Sequence, residues 1–172
     1  LYKYEVDSGK ADMLAGTTDA WLGLFWSCDA GLIMQEDGGD HFYYEVPKEG
    51  SNVWVDGWII PKYAGNYVAA NYFLKFINLY DDEHDFAMRN FDYMGSSMAG
   101  KTVMEEAKAA LEEDDGTAEE SVLYGKDPWF KRMYIDMMFP PEDVLARCGV
   151  MGDFGKARST DLDSMWIDVK TG

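Results

Sequence analysis

The sequence predicts an α/β fold rich in helix, and three observations carry that reading. Residues 21–26, Trp-Leu-Gly-Leu-Phe-Trp, form an apolar run of strand length that leads through small residues into a helical stretch. Residues 52–60 form a second extended segment, after which apolar residues recur at three and four positions. Beyond Gly100 the composition turns helical, rich in Ala, Glu, Met and Lys.

Taken in order, residues 10–15 predict a short helix between Gly9 and Gly16. Residues 21–26 predict a buried strand, followed by Ser27-Cys28-Asp29-Ala30-Gly31 and a helix beginning over 32–36. That order sets residues 27–29 at the carboxyl end of a strand, where open α/β sheets hold ligands. Asp29 reads either as a ligand carboxylate or as a helix N-cap. Gly38-Gly39 predicts a turn, and residues 41–46 the next strand.

Pro47 and Gly50 predict a turn: proline sets φ, and glycine admits positive φ without steric cost. The strand over 52–60 carries the β-branched Val53, Val55 and Ile59 with the aromatic Trp54 and Trp58. Gly57 interrupts it and Pro61 ends it. Residues two apart share a strand face, so Trp54, Asp56 and Trp58 are expected to point one way. An indole, a carboxylate and an indole suit an organic cation, because ring faces attract positive charge and the carboxylate pairs with it. The alternative is two core tryptophans with a carboxylate capping nearby backbone.

Asn66 predicts an N-cap for a helix with Tyr67, Ala70, Phe73, Leu74 and Ile77 as packing positions. Residues 81–91 predict another helix, capped by Asp81 or Asp82. A third helix spans 101–113 and stops at Asp114-Asp115-Gly116. Pro128 suits a first helical position. The stripe after it, Trp129, Phe130, Met133, Tyr134, Met137 and Met138, fits either core or an interface. A short helix over 142–148 follows Pro140-Pro141.

Composition narrows the function. The 172 residues suffice for one domain or two small lobes, and 47% are hydrophobic, enough for a core. The net charge of −17 opposes nucleic acid and anionic membranes as partners. Cys28 and Cys148 have no metal-ligand spacing; a disulfide between them and two free thiols both fit the sequence. His41 and His84 stand alone, so no metal and no cofactor are expected. No Ser-His-Asp or Cys-His arrangement and no phosphate loop stands out, so the chain does not read as an enzyme. No run reaches the ~20 apolar residues of a membrane helix.

Val46-Pro47-Lys48-Glu49-Gly50-Ser51-Asn52-Val53-Trp54-Val55-Asp56, then Ile60-Pro61 and Ala64-Gly65-Asn66, resembles the signature of the spermidine/putrescine-binding proteins of polyamine ABC transporters. That signature runs approximately V-P-K-E-G-x-x-x-W-x-D, then I-P and A-x-N. Further similarities follow in order: Leu24-Phe25-Trp26-Ser27-Cys28-Asp29-Ala30, the helix text of residues 70–78, Phe91-Asp92-Tyr93-Met94-Gly95, and Leu162-Asp163-Ser164-Met165-Trp166-Ile167-Asp168-Val169-Lys170. The resemblance covers about 22–170 with an insertion over 117–138. It departs from the family at 95–100, which lacks a tyrosine and a proline, at Leu162 where a tyrosine is usual, and at Met151, which cannot make a polar ligand contact.

The resemblance implies the second half of a bilobed, type II periplasmic-binding-protein-like fold. Residues 1–56 and 141–172 would form part of one lobe and 57–140 part of the other. Opening at Leu1 within ordinary domain text, the chain reads as a fragment of a longer protein. With the first half missing, dimerisation or rearranged packing is expected, through exposed sheet edges or the 129–138 stripe. The resemblance further implies an extracytoplasmic substrate-binding component, periplasmic or at the cell surface, that captures a polyamine and delivers it to ABC permease subunits. Trp26 and Trp54 would cover the ligand's methylenes, and Asp56 and Asp29 would pair with its ammonium groups. A binding-protein-like assembly module without ligand, or a receptor for another small solute, are the rival readings.

Overall fold

The computed structural model describes residues 6–36, 39–153 and 155–171. Gly38 of the first predicted turn and Phe154 of the last segment lie outside them. The described residues form eight α-helices and one pair of two-residue strands. In chain order these are α1 (Val6–Leu14), α2 (Ser27–Gln35), β1 (Asn52–Val53), α3 (Tyr67–Ile77), α4 (Phe86–Met94), α5 (Lys101–Glu113), α6 (Pro128–Met138), α7 (Glu142–Ala146), β2 (Gly149–Val150) and α8 (Lys156–Thr171). The structure is helix-rich with little sheet, and no described helix is long and apolar enough to cross a membrane.

Local chemistry explains where several helices begin and end. The Asn66 side chain accepts a hydrogen bond from the Ala69 N–H at 3.0 Å, capping α3. Pro128 occupies the first turn of α6, where its missing N–H costs nothing. Gly95 ends α4 in the left-handed conformation, φ 58°. The predicted helix over 81–91 starts later, at Phe86. Its forerunner residues are committed elsewhere: Asp81 and His84 bridge backbone to backbone, and Asp81 Oδ1 lies 2.7 Å from His84 Nδ1.

The core gathers around α6. Phe130, Met133, Tyr134, Met137 and Met138 are buried, so this stripe packs into its own chain, while Trp129 is half exposed. Against it lie Ala30 and Met34 of α2, Phe91 of α4, Ala107 of α5 and Leu123. The Tyr134 hydroxyl accepts a hydrogen bond from the Gln35 side chain at 3.1 Å, and burial pushes its pKa up. Helix α3, expected to pack its apolar positions inward, buries none of them. It leans on α4 instead, through Phe76 against Phe86 at 4.4 Å and the Asn90 amide on the Ile77 carbonyl at 2.6 Å.

The predicted strands are the main correction. Residues 21–26 form no strand, and Trp21, Leu22 and Leu24 are exposed rather than buried. Residues 42–46 are likewise irregular, after a 3₁₀ turn at Gly39–His41. The strand expected over 52–60 stops at Val53. It pairs in parallel with β2, Asn52 opposite Gly149 and Val53 opposite Val150. A central strand needs hydrogen-bonding neighbours along its length, and the described residues supply only this two-residue partner. Cys28 and Cys148 are both free and partly buried. Helix α8 takes in the whole 162–170 stretch and buries no residue.

Candidate functional site

The turn over 47–50 aims the segment that follows it. The Gly50 N–H donates to the Pro47 carbonyl at 2.9 Å, and Gly50 takes φ 96°. A Cβ there would lie 1.8 Å from the Arg147 carbonyl oxygen, so the backbones can meet only at glycine. Arg147 closes the same contact from its side chain, donating to the Val46 and Pro47 carbonyls at 3.1 Å each. The Gly149 N–H donates to the Ser51 carbonyl at 2.9 Å. This clasp fixes β1, and Trp54 follows immediately.

Trp54 meets Trp26. Their ring centroids are 5.9 Å apart and their planes 67° apart, an edge-to-face pair. Trp26 is the extended residue that caps α2 from its backbone: its carbonyl accepts the Ala30 N–H at 3.0 Å. Trp26 is 52% exposed and Trp54 42%, so each indole keeps open π surface.

Asp29 sits in the first turn of α2, where the helix dipole favours negative charge. The N-cap alternative does not hold, because Trp26 occupies that position. Asp29 is the buried polar residue of the described core, 8% exposed. Its Oδ1 lies 2.5 Å from the Lys10 ammonium, which also sits 3.0 Å from Asp7 Oδ1. The hydrogen bonds that Lys10 donates to Asp29 and then to Asp7 hold its pKa above its usual range. Asp29 Oδ2 is buried without a hydrogen-bond partner among the described residues. Next to it, burial pushes the Cys28 thiol up, helped by the Asp29 charge. Gly95 packs over this turn, where a Cβ would come 3.3 Å from the Cys28 carbonyl oxygen.

Of the four predicted site residues, Trp26 and Trp54 come into contact, and Asp29 shares the opening of α2 with Trp26. Asp56 is exposed two residues beyond Trp54 and makes no hydrogen bond or ion pair among the described residues. The shared face of Trp54, Asp56 and Trp58 does not form, since the strand ends before it. Trp58 packs instead against Phe73, centroids 5.8 Å apart. Lys10 was missed by sequence reasoning; no spacing rule links it to Asp29, 19 residues away.

A cleft of about 370 Å³ lies elsewhere, between the 43–46 segment, α6 and α7. Both of its arginines are already engaged, Arg132 with Asp136 at 2.8 Å, and Arg147 with Asp143 at 3.6 Å and the clasp carbonyls, while Glu45 at its edge is exposed. It holds no orphaned buried side-chain polar atom among the described residues. The tryptophan pair with Asp29 is therefore the stronger candidate for recognition. Among the described residues, no three His, Cys, Asp or Glu side chains group as a metal site. Compared with family models, curated proteins and solved structures, the chain matches none.

Proposed function

We propose that this chain is the second half of a bilobed substrate-binding receptor that captures a polyamine for an extracytoplasmic ABC importer. The observation carrying the reading is the Trp26–Trp54 pair, half exposed, at the opening of the helix that buries Asp29. A polyamine is a run of methylenes punctuated by ammonium groups. Indole faces can cover the methylenes and attract the charges, each cation–π contact contributing roughly 0.5–2 kcal/mol. Asp29 offers a desolvated carboxylate to a terminal ammonium, and Asp56 an exposed one two residues beyond Trp54. The signature at 46–56 supports the assignment of ligand class. Residues 1–56 with 141–172 would belong to one lobe and 57–140 to the other, with closure delivering the ligand to permease subunits.

Calorimetric titration with spermidine and putrescine, at low and moderate salt, tests this. Micromolar binding that weakens about tenfold in Trp54→Ala, as loss of one strong cation–π contact would require, supports the site. The assembly-module reading draws on a different observation, the exposed apolar residues at 21–24 and 55–59. Absence of binding together with self-association on sedimentation favours that reading instead.

A further inference from the structure

We infer that Lys10 is a tethered competitor, occupying the Asp29 carboxylate until a ligand ammonium displaces it. The inference rests on the polyamine-site reading above. A lysine side chain is four methylenes ending in a primary ammonium, the same chemistry as the aminobutyl end of a linear polyamine. Lys10 delivers that ammonium from α1 to within 2.5 Å of Asp29 Oδ1. The helix that carries it is packed only partway, with no residue fully buried, so α1 is held less firmly than the core helix that Asp29 belongs to.

The pairing is also incomplete. Lys10 satisfies Oδ1 and divides its donors with Asp7, leaving Asp29 Oδ2 buried and orphaned. A buried acceptor without a partner is costly, so a ligand ammonium that reaches both oxygens would pair better than Lys10 does. Asp7 then keeps its own exposed contact with water. The arrangement gives the empty receptor a neutralised carboxylate, which a buried charge requires.

Competition of this kind lowers apparent affinity by the fraction of molecules with an open site. The test is titration of wild-type chain, Lys10→Met and Lys10→Arg with spermidine, with melting temperatures recorded with and without ligand. If Lys10 holds Asp29 about nine-tenths of the time, Lys10→Met tightens binding about tenfold. Its ligand-free form melts lower and recovers more on adding spermidine, while Lys10→Arg stays close to wild type. Equal or weaker binding by a folded Lys10→Met, with the wild type binding, overturns the competitor role and leaves the receptor reading standing. Should Lys10→Met fail to fold, a ¹³C-dimethylated Lys10 resonance in the wild-type chain decides: movement toward the free-lysine position on saturation supports displacement, and no movement overturns it. Absence of binding in all three chains overturns both readings.

Discussion

The helices around α6 and the extended segments are both rich in apolar residues and meet opposite fates. Around α6, Phe130, Met34 and Leu123 are sealed from solvent. In the extended segments, Leu24 is 95% exposed and Val55 94%. A helix satisfies its backbone within itself, so only its apolar face needs a partner, and α2, α4, α5 and α6 provide one another with such faces. An extended segment needs partners for backbone and side chains alike. The difference teaches that apolar sequence buries itself only where the hydrogen-bonding geometry is also available.

The sharpest way to break that comparison is a matched pair of truncations followed by urea denaturation. Phe130→Ala should destabilise by about 3–5 kcal/mol, the transfer and cavity cost of an aromatic core residue. Leu24→Ala should change stability by no more than about 0.5 kcal/mol. Equal losses would mean that residues 21–26 are packed in solution. A second test concerns the one place where an extended segment is held. Gly50→Ala combines a positive φ with a clash against the Arg147 carbonyl, so about 1–3 kcal/mol of backbone strain is expected. The near-ultraviolet circular dichroism of the Trp26–Trp54 pair should fall with it; an unchanged spectrum would separate the clasp from the tryptophans.

The smallest expected effect lies at the edge of the helical half. Asp114 accepts hydrogen bonds from the Ser121 hydroxyl and from the Gly116 N–H at 2.7 Å, and these hold its carboxyl below the usual range. A depressed folded pKa contributes stability above the unfolded value and loses it as pH falls through the folded value. Asp114→Asn should therefore flatten the acid limb of the stability profile below about pH 4. Solvent screening limits the change to at most about 1 kcal/mol. A profile parallel to wild type would remove Asp114 from the acid response.

Legibility in the sequence followed the same divide. Asn66, Pro128 and the stripe after it announced α3 and α6, because caps and periodicity act within a few residues. Residues 101–113 matched α5 end for end. The extended segments misled, because a strand's existence depends on chain far away: the reading of 52–60 as one strand put Trp54 beside Trp58, whereas the structure sends them to Trp26 and Phe73. Trp26 and Trp54 were singled out by residue type and signature, and their meeting is tertiary. The hold of Lys10 on Asp29 left no sequence trace, since it joins side chains 19 residues apart on two different helices.

The Arg147 clasp joins residues 100 positions apart in the chain. Joining ends so distant costs loop-closure entropy, as the α2–α6 pairing also does across the 99 positions from Gln35 to Tyr134; the core offsets that cost by burying apolar side chains, whereas β1 and β2 bury no residue. The tryptophan pair lies just past that closure, so the proposed recognition surface sits where few buried contacts hold the backbone and local opening is easiest. Amide exchange should then run faster at Gly149, whose N–H closes the clasp, than in the interior of α6. Opening confined to that end would leave the helical body around α6 intact.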